Sequence, residues 1–115
     1  FHRPRRVPRV RVRVVDLGNA LTRETAPLYF DTFTLQSPAY RSPEVWVGLP
    51  FGHPIDMWSV GVMLAELAAR RRLFPSDSRS GLLRRIESLV GPLPSDIYSR
   101  GKYWDDVLRV REATA

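Results

Sequence analysis

The fifteen residues from Ile55 to Ala69 constrain this chain more than any other stretch. Met57, Trp58, Val60, Val62, Met63, Leu64, Leu67 and Ala68 place apolar side chains on nearly every face of a helix. A helix that is apolar all round belongs in a large core or in a membrane. This one is too short for a bilayer, which needs about 20 apolar residues, and Asp56 and Glu66 interrupt it. The pattern therefore predicts a buried central helix around which the rest of the chain packs. The residues before it, from Gln36 to Pro54, contain Pro38, Pro43, Gly48, Pro50, Gly52 and Pro54. Punctuation at that density predicts a fixed irregular path rather than a helix or a strand.

Upstream, Arg9 to Val14 alternates strictly between arginine and valine. Period two with β-branched residues predicts a short strand with one apolar face, and Val15 breaks the alternation as a strand does on entering a core. Asp16-Leu17-Gly18 follows directly. Residues 19–35 have no period and carry Thr22, Thr25, Thr32 and Thr34, the composition of an exposed loop. Downstream, Leu82, Leu83, Ile86, Leu89 and Val90 share one helical face from about Gly81 to Val90. Ser78 or Ser80 is placed to cap that helix, and Gly91-Pro92 stops it. A last short helix is expected from about Trp104 to Glu112.

Two motifs and the block between them carry a resemblance. Ser42-Pro43-Glu44 followed by IDMWSVGVMLAEL at Ile55–Leu67 resembles the end of the activation segment and the central helix of a eukaryotic protein kinase. VRVVDLG at Val12–Gly18 resembles the strand and metal-binding triplet that open the same segment, in the same order. The block QSPAYRSPEVWVGLPFGHPIDMWS is most similar to the dual-specificity tyrosine-regulated and homeodomain-interacting kinases, and DLGNA also resembles the SR-protein kinases. The likeness extends over about Arg11 to Gly91.

The resemblance implies a mainly α architecture: part of the helical C-terminal lobe of a protein kinase fold, with a short β segment before the activation loop. Residues 1–9 are then a basic linker, and residues 10–115 a partial kinase domain that ends in the start of the insert typical of this group. It implies an ATP-dependent Ser/Thr kinase, with dual-specificity and proline-directed relatives, that acts on protein substrates. ATP and Mg²⁺ are the implied cofactors, and Asp16 is the implied metal and cofactor-binding residue, its carboxylate holding Mg²⁺ against the phosphates. Leu17 stands where the family usually has phenylalanine.

In the substrate-facing loop the resemblance assigns Ser37 to a hydroxyl that contacts the catalytic aspartate and lysine. Tyr40 would pack beneath the loop, and Arg41 would shape the pocket that follows the phosphoacceptor. Glu44 would form a buried ion pair with a distant arginine, which is not identifiable in this chain. Thr32 and Thr34 occupy the positions of a Tyr-x-Tyr pair and are the implied phosphosites. Pro38 replaces an arginine that helps hold such a phosphate, so Arg41 could instead pair with a phosphate on Thr34. Asp56 suits a helix N-terminus by charge alone, and in the family the matching residue holds the catalytic loop. Trp58 beside it is assigned a structural role in the same helix.

Composition bounds the partners. The 115 residues permit one domain, and the absence of cysteine excludes a disulfide framework or thiolate metal site. Arg3, Arg5, Arg6, Arg9, Arg11 and Arg13 account for the whole net charge of +6, since the remaining twelve basic and twelve acidic side chains cancel. That arm suits an acidic partner or nucleic acid, or simply solvation as a linker, and it lacks the interleaved aromatics that stack bases. No apolar segment follows the basic start as in a signal peptide, so an intracellular protein of cytoplasm or nucleus is expected, with no membrane partner.

The chain lacks motifs for a glycine-rich phosphate loop, a strand lysine with its helix glutamate, and a loop bearing the base aspartate. Phosphoryl transfer needs these parts. The expectation is a piece of a kinase domain that is inactive as this segment. The alternative is a pseudokinase-like scaffold that presents a helical surface and a basic arm to partners.

Overall fold

The computed structural model describes residues 9–32, 35–75 and 78–114. Five helices follow one another: α1 (Pro43–Val47), α2 (Pro54–Ala69), α3 (Arg79–Val90), α4 (Ser95–Tyr98) and α5 (Trp104–Thr114), with 3-10 turns at Leu17–Asn19, Ala26–Tyr29 and Pro38–Tyr40. Local chemistry sets several of the boundaries. Pro43 and Pro54 stand in the first turns of α1 and α2, where a missing N–H costs nothing. The Ser78 hydroxyl accepts from the Gly81 N–H at 3.0 Å and caps α3.

The three longer helices lie within two residues of their predicted bounds. The proline-rich loop departs from expectation, because it holds one turn of 3-10 helix and the five-residue α1. The expected strand does not form: residues 9–14 have no regular secondary structure, and no strand occurs among the described residues. A strand needs a neighbour to pair its N–H and C=O groups, and none of the described residues supplies one. Val12 is 88% exposed and Val15 is 72% exposed, so Val15 does not enter a core.

The core lies elsewhere than the sequence suggests. Leu82, Leu83 and Ile86 of α3 meet Val107 and Val110 of α5, and Trp46 and Val47 of α1 close the cluster. α2 joins its edge through Val62, with Trp58 stacked on Phe74 at 6.3 Å between ring centroids. Among the apolar side chains of α2 only Ile55 and Val62 are buried. Trp58, Ser59, Val62, Ala65 and Glu66 recur at helical spacing and form its inner face. Met57, Val60, Leu64 and Leu67 form the opposite stripe, with Met57 67%, Leu64 60% and Leu67 75% exposed. The prediction of a wholly buried helix is corrected accordingly: apolar content measures how much cover a helix needs, and no described residue covers this stripe. None of the described helices is long and apolar enough to cross a membrane.

Close backbone contact ties α1 to the C-terminal segment. The Tyr103 N–H donates to the Val47 carbonyl at 2.8 Å. A Cβ on Gly101 would lie 2.3 Å from Val47 Cγ1 and 2.5 Å from Val47 O, so only glycine allows this crossing. Glu87 of α3 pairs with Arg111 of α5 at 2.6 Å and accepts from the Leu93 N–H at 2.7 Å. Burial alone would raise the Glu87 pKa, but these hydrogen bonds and the Arg111 charge hold it below the usual carboxylate value.

The outer stripe of α2 is an exposed apolar patch of the kind that drives association. The purified 115-residue chain is expected to self-associate, and Leu64→Lys with Leu67→Lys to shift it toward monomer. Light scattering coupled to size exclusion checks this. A monomeric parent chain with a sharp cooperative melt would contradict it.

Candidate functional site

The loop from Leu35 to Glu44 is held on α2 by one side chain. Gln36 adopts a left-handed backbone, φ 67°. Its amide nitrogen donates to the Ile55 carbonyl at 2.7 Å and to Ser59 Oγ at 2.6 Å, while its amide oxygen accepts from the Ser42 N–H at 3.0 Å. Ser59 Oγ in turn donates to the Tyr40 carbonyl at 2.8 Å. Both ends of the loop are thereby fixed to the first two turns of α2.

The left-handed turn presents the Gln36 carbonyl to Arg41. Arg41 Nη2 donates to Gln36 O at 2.9 Å, and Nε donates to Leu35 O at 2.8 Å. Its guanidinium lies over the Trp46 ring, 4.4 Å from the centroid, within cation–π range. Burial, followed by the charge of Arg79, pushes the Arg41 pKa below its ordinary value. The Tyr40 hydroxyl donates to Glu66 Oε1 at 2.5 Å, and the Leu73 N–H donates to Glu66 Oε2 at 2.9 Å. The acid in the apolar helix thus has the partners it needs on the inner face.

The other residues singled out in the sequence fall around this loop. Ser37 is exposed and precedes the 3-10 turn at Pro38–Tyr40. Glu44 is half-buried in the first turn of α1 and forms no ion pair among the described residues. Ser42 is fully buried, and its hydroxyl has no hydrogen-bond partner among them. Asp56 is exposed in the first turn of α2. Trp58 is half-buried, and its buried indole N–H is likewise unpartnered among the described residues. Thr32 Oγ1 donates to the Tyr29 carbonyl at 3.1 Å. Thr34 and the arginines of the arm before Arg9 lie outside the described residues.

Asp16 stands apart from this cluster. It is exposed, with a left-handed backbone at φ 60°, immediately before the turn at Leu17–Asn19. Among the described residues no three His, Cys, Asp or Glu side chains group as a metal site. Asp16 offers an exposed carboxylate, a donor set compatible with Mg²⁺ because that ion commonly takes only one or two carboxylates alongside phosphate oxygens.

Sequence reasoning missed Gln36, Ser59 and a second tether. Asp31 accepts from Lys102 Nζ at 3.1 Å through its carboxylate and from the Tyr103 hydroxyl through its carbonyl. Phe30 meets Phe51 edge to face at 4.9 Å between centroids. The Asp31 contacts strap the threonine-bearing loop to the segment before α5, and the ring contact straps it to the segment before α2. Long-range pairs like these leave no periodic trace. The only available signal was the density of polar residues on either side of prolines.

The Tyr40–Glu66 bond makes the site pH-dependent. The Tyr40 hydroxyl first, then the Leu73 N–H, hold the Glu66 carboxyl below its ordinary 4.5. The hydrogen bond to Glu66 raises Tyr40 above 10.0. A depressed carboxyl stabilises the fold above its unfolded pKa, and that contribution is lost as pH falls through the folded value. A raised phenol contributes below its unfolded pKa and loses that contribution as pH rises through the folded value. Loss of stability is therefore expected below pH 4.5 and again above pH 10.0. In Tyr40→Phe the Glu66 carboxyl should titrate closer to its ordinary value in an NMR pH titration. An unchanged titration would refute the coupling.

Comparison with known proteins gives a consistent set of likenesses. Residues 6–101 match the family model described as protein kinase domain. The chain is 49% identical over 57 residues to cyclin-dependent kinase-like 5 of Homo sapiens, covering 50% of this chain and 6% of that protein. It is 42% identical over 92 residues to the serine/threonine-protein kinase ppk15 of Schizosaccharomyces pombe, covering 79% of this chain and 16% of that protein. It is 41% identical over 87 residues to homeodomain-interacting protein kinase 1 of Caenorhabditis elegans, covering 76% of this chain and 10% of that protein. The chain thus spans a small part of the length of these relatives. No solved structure matches.

Proposed function

The chain belongs to the protein kinase family, and from that premise we propose that it forms the activation-segment part of a Ser/Thr kinase that transfers phosphate from ATP to a hydroxyl followed by proline. The observation that carries the proposal is the Gln36 carbonyl, held by Arg41 at 2.9 Å. A backbone oxygen turned onto Arg41 has one lone pair committed there and would serve a docked peptide less well. The residue after the phosphoacceptor would then bury an N–H without an acceptor, at a cost of about 1–3 kcal/mol. Proline has no N–H and escapes that cost. Arg41 cannot be withdrawn easily, because Leu35 O and the Trp46 face hold the same guanidinium.

The other roles follow from position. Asp16, exposed and unpaired at the start of the segment, would hold Mg²⁺, which neutralises phosphate charge when bound. Ser37, exposed at the lip of the loop, would face the acceptor hydroxyl and its catalytic partners. Tyr40 and Glu66 set the loop's height above α2 by the hydrogen bond between them. Thr32 would be a modification site on the strapped loop. Arg41 would act as a positioning residue for specificity, with two of its five donors serving carbonyls.

A peptide array on the full-length protein tests the specificity. Ser-Pro peptides are expected to be turned over about five- to a hundredfold faster than Ser-Ala peptides, as a penalty of about 1–3 kcal/mol requires. Arg41→Ala should lower that ratio toward one, and equal turnover of the two peptides by the parent enzyme would refute the claim.

The 115-residue chain by itself is expected to give background phosphoryl transfer, since its motifs include no base aspartate or phosphate-binding lysine. In the full-length protein Asp16→Ala should abolish activity while leaving the fold intact by circular dichroism. An Asp16-dependent rate in the isolated chain would overturn this reading.

A further inference from the structure

A groove of about 500 Å³ runs between α3 and α5. Leu83 and Val110 contribute its apolar floor, and Arg79, Arg84, Arg109 and Asp106 stand around it. The guanidinium charges are unequally committed. Arg79 donates to the Trp46 carbonyl and pairs with Asp106. Asp106 also meets Arg109 at 3.3 Å, but the Arg109 side chain is 77% exposed. Arg84 is exposed on α3 and forms no ion pair among the described residues. Three cations against one carboxylate leave the rim two charges positive.

We propose that this groove docks a short acidic peptide segment of a protein partner, with an apolar side chain on the Leu83–Val110 floor and carboxylates on Arg84 and Arg109. Charge complementarity selects the class of partner. The apolar floor gives a free inorganic anion nothing to cover, whereas a leucine-like side chain buries on it. No aromatic side chain lines the groove, so a single-stranded nucleic acid would find charge but no stacking platform. Arginine suits the role because its planar fork engages a carboxylate through two parallel hydrogen bonds. The contacts lie at the surface, so binding should weaken with salt as the screening length falls to about 8 Å at physiological ionic strength. The proposal does not depend on phosphoryl transfer.

The test uses fluorescence anisotropy on the full-length protein with a labelled peptide Asp-Glu-Glu-Leu-Leu-Asp-Glu. Three further probes are its amide counterpart Asn-Gln-Gln-Leu-Leu-Asn-Gln, the same acidic peptide with both leucines replaced by serine, and a ten-nucleotide oligothymidine. The acidic leucine peptide is expected to bind. Arg84→Glu with Arg109→Glu should weaken it by about tenfold or more, since each surface ion pair contributes up to about 1 kcal/mol and reversal adds repulsion. The control Arg70→Glu with Arg71→Glu, exposed cations at the end of α2, should leave affinity unchanged. Circular dichroism must show both double variants folded. If the reversal unfolds the chain, Arg84→Gln with Arg109→Gln serves in its place, with a smaller loss expected. Failure of the acidic leucine peptide to bind would overturn the proposal, as would equal loss in the control variant. So would equal binding by the serine peptide, the amide peptide or the oligothymidine.

Discussion

The side-chain amide of Gln36 determines how the loop before α1 can lie. A non-glycine residue at φ 67° costs about 1 kcal/mol or more and persists only where surrounding bonds over-determine it. Here three hydrogen bonds do so, to Ile55 O, Ser59 Oγ and the Ser42 N–H. Once that backbone is fixed, its carbonyl can only face Arg41. Arg41 then lies flat on Trp46, the Trp46 carbonyl accepts from Arg79, and Arg79 pairs with Asp106 of α5. A single local turn is thus transmitted through two arginines to the far helix. The proposed proline specificity would rest on the same turn, through the Gln36 carbonyl that Arg41 occupies.

α2 inverts the usual amphipathic arrangement. Its inner face carries Ser59 and Glu66, whereas its outer stripe is Met57, Val60, Leu64 and Leu67. Polar groups facing inward are tolerable only when bonded. Ser59 meets Gln36 and Tyr40, and Glu66 meets Tyr40 and Leu73. These polar contacts orient the loop, a directional task that apolar packing performs poorly. The apolar stripe is then the face on which α2 is left uncovered, and it carries no part of the loop's geometry.

What the sequence made legible follows from locality. The start of α2 at Pro54 and the cap of α3 at Ser78 were readable because a proline or serine acts within one turn of itself, whereas α1 at Pro43 was hidden in a stretch whose prolines read as loop. Glu66 was readable as an acid in need of a partner, although not which partner. The strand over Arg9–Val14 was not correctly readable, because a strand is completed by a neighbour and alternation describes only one side of that pair. The burial of α2 failed for the same reason: Leu64 and Leu67 report a demand for cover without locating it. Gln36 left no trace at all. A glutamine among prolines reads as solvated, and its left-handed backbone is imposed by Ile55 and Ser59, nineteen and twenty-three residues away.

The arginines explain how a chain so rich in irregular loops satisfies its carbonyls. Loop carbonyls lack the regular partners that helices and sheets provide, and leaving them buried and unbonded is costly. Arg41 serves Leu35 and Gln36, Arg79 serves Trp46, Arg85 serves Leu73, and Arg111 serves Leu93 while pairing with Glu87. Lysine could not replace them equally, because one guanidinium reaches a carbonyl and a carboxylate or ring face together. Part of the basic composition is therefore structural, spent on backbone oxygens. Outside that work, Arg84 and Arg109 on the groove and Arg70 to Arg72 at the end of α2 are among the cations whose charge remains at the surface. A positive field concentrated where no carbonyl needs it is better suited to an external carboxylate than to the fold itself.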